Sequence, residues 1–249
     1  MSLILPTKKI PASTTNPKFL VLFGREKVGK TSALAQLDNN LIIDLEGGST
    51  FVDAMAIQCR NINDLGEAAQ AIRAKNKEVG HNFYRHITID NATSLEEMCL
   101  SYAATLYRQQ PMGKNWTGTD VRTLPQGSGY LYLREAVLKV IDMFKELCDE
   151  FILIGHIKDT IVNDPSTGEE LSERSLDLVG KLSGMVCRKC DGVGYMYRDG
   201  NEVHIKFKAG KNISMGCRSD HLRNKDIVIS EMDEETGVLT THWDRIYKD

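Results

Sequence analysis

Residues 24–31, Gly24-Arg25-Glu26-Lys27-Val28-Gly29-Lys30-Thr31, match G-x-x-x-x-G-K-[ST] at every position. That pattern constrains the fold strongly, because it works only as a loop joining a buried strand to a helix. The glycines let the backbone curl so that successive N–H groups face an anion, and the following helix points its positive end at the same place. The flanks comply: Phe19-Leu20-Val21-Leu22-Phe23 is a continuous apolar strand, and Lys30 to Leu37 has helical character. Gly24, Arg25, Glu26, Lys27, Val28, Gly29, Lys30, Thr31 and Ser32 are therefore expected to cradle the β- and γ-phosphates of ATP or a close relative. Lys30 supplies a point charge, and the Thr31 hydroxyl a ligand for Mg²⁺.

The remaining pattern alternates strand and helix. Strands are expected at Leu41–Asp44, His86–Asp90 and Phe151–Ile154, and helices at about 63–78, 94–108 and 130–148. Gly192–Arg198, the turn Asp199-Gly200, and Glu202–Phe207 read as a β-hairpin. Alternation followed by a late hairpin predicts an α/β fold: a mostly parallel central sheet flanked by helices, with an antiparallel edge. The expected organisation is an extension over 1–17, a core over 18–226 and a tail over 227–249, with a strand pair around Thr236-Gly237. Two loops interrupt the pattern: 109–129, broken by repeated Gly and Pro, and the polar stretch 158–174.

Polar residues at strand ends supply the chemistry, since ligands bind such sheets at the carboxyl edge. Asp90 ends the third strand and is a candidate Mg²⁺ ligand beside Thr31; its competing role is to cap the next helix. Glu46, in Asp44-Leu45-Glu46-Gly47-Gly48, is the candidate base that orients and deprotonates attacking water. His156, in Gly155-His156-Ile157-Lys158, is placed to sense the γ-phosphate. Lys114, Trp116 and Arg122 in the first loop combine cations with one stacking surface, which suits single-stranded DNA; an ordinary solvated loop is the alternative. The cysteines sit in a chain without a secretion pattern, so reduced thiols are expected. Cys187, Cys190, Cys217 and His221 have zinc-permissive spacings, yet buried structural cysteines fit the apolar context better.

Composition narrows the classes. With 41% apolar and 26% charged residues and a formal charge of −3, the chain reads as an ordinary globular protein without an overall basic field. It contains no apolar run near the roughly 20 residues of a membrane span, so a cytoplasmic protein is expected.

In this order, Gly24–Thr31, Asp44-Leu45-Glu46, Asp90 and His156 resemble the RecA-like P-loop ATPases. With Leu178-Val179-Gly180-Lys181-Leu182 before Cys190-Asp191, the resemblance extends, over about 17–223, to compact phage-encoded ATP-dependent single-strand annealing proteins. It departs at His156, where the bacterial recombinase has Gln, and in both loops, which share no motif with the recombinase. The resemblance implies a Mg²⁺-dependent ATPase acting on single-stranded DNA in recombination or annealing. It implies as partners that DNA, further copies of the chain in a ring or filament, and a single-strand binding protein. Catalytic roles are implied for Lys30, Glu46 and His156, and, toward a neighbour's γ-phosphate, for Lys208 and Lys211. The alternatives are a helicase-like or partition-type motor, or a nucleotide-gated interaction protein with negligible turnover.

Overall fold

The apolar run before the glycine motif forms β1 (Phe19–Gly24), buried at every position. A computed structural model describes residues 5, 7–9, 12, 14–163, 170–210 and 213–248. After β1 come α1 (Lys30–Ala35), β2 (Asn40–Asp44), β3 (Ala56–Gln58), α2 (Ile62–Val79), β4 (His86–Asp90) and α3 (Ala92–Arg108). Next are α4 (Gly129–Lys145), β5 (Glu150–Gly155), β6 (Ile157–Asn163), β7 (Glu170–Leu176) and α5 (Leu182–Lys189). The chain then runs through β8 (Gly192–Asp199), β9 (Glu202–Lys206), β10 (Gly216–Cys217), β11 (Asp226–Met232) and β12 (Leu239–Thr241).

The main sheet runs β12-β11-β9-β8-β1-β5-β4-β2-β3, with β10 paired to β8. From β8 to β3 every pairing along this path is parallel; from β8 outward through β9 and β11 to β12 every pairing is antiparallel. This is the α/β arrangement expected from the sequence, a mostly parallel sheet with an antiparallel edge, with β5 inserted between the glycine-loop strand and the strand that ends in Asp90. Side chains alternate across the sheet as strand geometry demands. Phe19, Val21 and Phe23 join α2, α3, α4 and α5 in one apolar core, while Leu20 and Leu22 join α1 and the C-terminal Trp243, Ile246 and Tyr247 in another. Two buried layers are thus clamped on the strands that carry the polar ends. Among the described residues, no helix is long and apolar enough to cross a membrane.

Several expectations are corrected. The stretch 158–174 is not a loop: β6 and β7 pair antiparallel as a separate two-stranded sheet, with Asp159 opposite Arg174. The Gly/Pro-rich segment 109–129 is not structureless; it folds into three 3-10 turns, Pro111–Gly113, Val121–Thr123 and Pro125–Gly127. Val121 and Leu124 within it are buried in the larger core, which anchors the segment. The first helix ends at Ala35 rather than Leu37.

Candidate functional site

The glycine loop leaves β1 at Gly24 under tight packing: a β-carbon there would lie 2.3 Å from the Met196 carbonyl oxygen on β8. Gly29 adopts φ +104°, a conformation costly for any residue with a side chain, immediately before α1. Lys30 is 7% exposed, and its Nζ donates to the carbonyls of Gly24 (3.1 Å) and Arg25 (2.7 Å), tying the loop's start to its end. Burial lowers its pKa, opposed by the charges of Asp90, Glu26 and Glu46. Those acids offset part of the cost of burying the Lys30 ammonium.

Thr31 Oγ1 donates to Asp90 Oδ2 at 2.6 Å, joining the helix after the loop to the end of β4. Burial raises the Asp90 pKa, against the Thr31 hydrogen bond and the Lys30 charge, and Glu46 and Asp44 push it the same way as burial. An acid held this way gains from a hard cation. The hydroxyl and carboxylate oxygens of Thr31 and Asp90 are the donor set Mg²⁺ prefers when substrate phosphates and water complete its shell.

Two acids share the loop after β2 and divide its work. Asp44 is buried; its carboxylate accepts from the N–H groups of Glu46, Gly47 and Ser49 and from the Ser49 hydroxyl. Burial alone raises its pKa, but these hydrogen bonds outweigh burial and leave it below the ordinary carboxylate value. Asp44 therefore builds the turn and has no capacity left for proton transfer. Glu46 is held out in the open by that turn, and its Oε1 accepts from Ser94 Oγ at 2.9 Å.

His156 sits between these groups. Asn91 caps α3 by accepting from Ser94 N at 3.0 Å, and its Nδ2 lies 2.8 Å from His156 Nε2. With the amide oxygen committed to the helix, the amide nitrogen donates and Nε2 accepts, so the ring proton falls on Nδ1. Nδ1 is buried without a hydrogen-bond partner among the described residues, 3.8 Å from Glu26 Oε1. His156 Nε2 is 3.7 Å from Glu46 Oε1.

A cleft of about 760 Å³ gathers Glu26, Lys27, Gly29, Lys30, Thr31 and Ser32 with Glu46, Asp90 and His156. Arg25 and Val28 complete the loop outside the cleft wall, Arg25 exposed and Val28 packed into the α1-side core. The cleft wall also includes Phe51, 90% exposed, and Arg198, neither of which the motifs indicated. Arg198 had a weak signal: it continues the alternation Gly194, Met196 at the end of a hairpin strand. Asn91 and Ser94 had the plainer signal of a helix start.

The other candidates lie elsewhere. Lys208 is exposed beyond β9 and is not in the cleft wall, and Lys211 falls outside the described residues. In the 109–129 segment, Lys114 is exposed. Trp116 is half-buried, edge-on to Tyr107 at 5.3 Å between ring centres and with Arg108 above it. The Arg122 cation is engaged by Asp120 (2.8 Å) and Glu97 (2.6 Å). Of the zinc-spaced residues, Cys190 Sγ donates to the Cys187 carbonyl and burial pushes its thiol up to about 12. His221 Nε2 instead meets the Ile246 carbonyl at 2.9 Å.

A glycine loop between a buried strand and a helix, a buried lysine inside it, and a Thr–Asp pair at its mouth define a P-loop nucleotide-binding protein. A family model described as an AAA domain matches residues 16–219. The chain belongs to this AAA domain family. No curated protein matches the sequence. Among solved structures, the crystal structure of the RadB recombinase matches with a TM-score of 0.45 and 9% sequence identity, covering 88% of this chain and 90% of that one.

Proposed function

We propose that the chain binds Mg²⁺·ATP, hydrolyses it, and couples turnover to single-stranded DNA in recombination or strand annealing, in a phage setting as the sequence resemblance implies. The observation that carries the nucleotide half is the 2.6 Å contact of Thr31 with Asp90 beside the buried Lys30 ammonium. Thr31 and Asp90 would hold Mg²⁺, which when bound neutralises phosphate charge and aligns the terminal phosphoryl group. The residues of the chain do the rest. Backbone N–H groups of the loop and Lys30 grip the phosphates. Glu46, steadied by Ser94, orients a water and takes its proton as the water oxygen bonds to the γ-phosphorus and the bond to the β,γ-bridging oxygen breaks, leaving ADP and phosphate. His156, in the cleft wall beside Glu46, is the candidate that senses the γ-phosphate and reports its loss.

For the DNA half, support comes from Lys114 and Trp116 on the anchored 109–129 segment and from the resemblance. A ring or filament, in which Lys208 and Lys211 approach a neighbour's γ-phosphate, belongs to the same proposal; a single-strand binding protein is its further partner. Phosphate release with and without a single-stranded oligonucleotide tests the whole. Stimulation by the oligonucleotide, with ATP-dependent gel retardation, supports the proposal. ATP binding without turnover under either condition favours a nucleotide-gated interaction protein, and stimulation by duplex with strand separation favours a helicase-like motor. Sedimentation with ATP and oligonucleotide tests assembly: a monomer under all conditions excludes the shared site.

A further inference from the structure

We propose that Arg198 grips the nucleotide in cis, contacting its α- and β-phosphates from the side of the cleft opposite Glu46; this rests on the nucleotide reading above. The argument begins with strand register. β8 lies parallel to β1 with Met196 opposite Gly24, so Arg198 stands beyond the last paired position, level with the glycine loop as it leaves the sheet. Side chains alternate along a strand, and Met196 faces the core that contains α1. Arg198 therefore shares the face of the sheet across which the loop curls into α1. Its antiparallel partner on β9, Val203, is buried in that same core.

Distances agree with the register. A β-carbon at Gly29 would lie 3.5 Å from Arg198 Nη2 and 3.4 Å from Val203 Cγ2, so the guanidinium rests against the last turn of the loop. Gly29 is at the start of α1, where the N–H groups of such a loop face the inner phosphates, whereas His156 lies by Glu26 and Glu46, at 3.8 and 3.7 Å. Asp199 and Glu202 are close in sequence, yet Arg198 forms no ion pair with them or with any other described residue. Arginines elsewhere in the chain differ: Arg122, Arg174 and Arg218 are each paired to carboxylates. An arginine with a planar fork of donors, left without an anion at the wall of a phosphate site, has the chemistry to take two phosphate oxygens at once.

The test is equilibrium binding of ATP and of ADP, each with Mg²⁺, to the full chain and to Arg198→Ala and Arg198→Lys. The side chain is exposed, so truncation opens no cavity; thermal melting checks that both variants fold. Arg198→Ala is expected to bind both nucleotides about tenfold more weakly, by equal factors, because α- and β-phosphates are common to both. Arg198→Lys, which keeps charge but not the fork, should fall between Ala and wild type. Wild-type affinity of folded Arg198→Ala for both nucleotides overturns the inference, as does a loss confined to ATP, which would place the guanidinium on the γ-phosphate. A wild-type chain that binds neither nucleotide overturns both the inference and the reading beneath it.

Discussion

Residue positions decide the chemistry through who already has a partner. Asp44 is saturated by four hydrogen bonds while Glu46 accepts only one, which leaves Glu46 as the carboxylate for the proposed role of general base. Glu46→Gln keeps shape and the Ser94 contact; ATP affinity should hold while hydrolysis falls about 10²- to 10⁴-fold. Wild-type turnover in a phosphate-release assay would make Glu46 a bystander. Asp90 carries a cost in the free protein: burial raises its pKa, so its ionised form is disfavoured in the fold. The sign follows from proton uptake. The folded state binds the proton at higher pH than the unfolded chain, so stability falls as pH rises from the ordinary value of 3.8 through the raised one. Asp90→Asn should therefore melt higher than wild type near neutral pH without nucleotide, the gap closing on acidification, while losing the Mg²⁺-dependent gain in ATP affinity. Equal melting at all pH, or an intact Mg²⁺ effect, contradicts this role.

Elements with a continuous buried face were legible in the sequence, and those without one were not. β1 and β5 read as strands because helices cover both sheet faces and nearly every side chain is apolar. The P-loop, Glu46, Asp90 and His156 stood out as candidates because each ends or follows a strand of the parallel sheet. β6 and β7 were missed because they form their own sheet, where polar pairs such as Asp159 with Arg174 replace an apolar run. Arg198 was missed because its meaning lies in the register of β8 against β1, which no local pattern encodes. The 109–129 segment read as open because Gly and Pro break its periodicity, yet Val121 and Leu124 bury it. That anchoring shapes the expected DNA effects. With Arg122 already paired, Lys114 and Trp116 are the residues available. Lys114→Ala should weaken oligonucleotide binding and flatten its salt dependence, and Trp116→Ala should cost about 1–3 kcal/mol of binding. Fluorescence anisotropy with a labelled oligonucleotide checks both; unchanged affinity in both variants removes this segment from the interface.

At the scale of the whole molecule, the C-terminal residues brace the nucleotide loop. Trp243 and Ile246 fill the core beneath α1, and Trp243 Nε1 donates to the Ala33 carbonyl at 2.7 Å. The end of the chain thus supports the helix that begins with Lys30 and Thr31. Trp243→Ala should cost about 3–5 kcal/mol, read as a lower urea midpoint, because it empties a buried site and strips a hydrogen bond. A loss under 1 kcal/mol would show that α1 stands without this brace. All of these features converge on one claim, that the cradle around Lys30 binds nucleotide phosphates. Equilibrium dialysis of labelled ATP with Mg²⁺ against the wild type and Lys30→Ala tests it directly. The account predicts saturable binding by the wild type and an affinity about ten- to a hundredfold lower for the variant, with the fold unchanged. A folded Lys30→Ala chain that binds ATP as tightly as the wild type would contradict it.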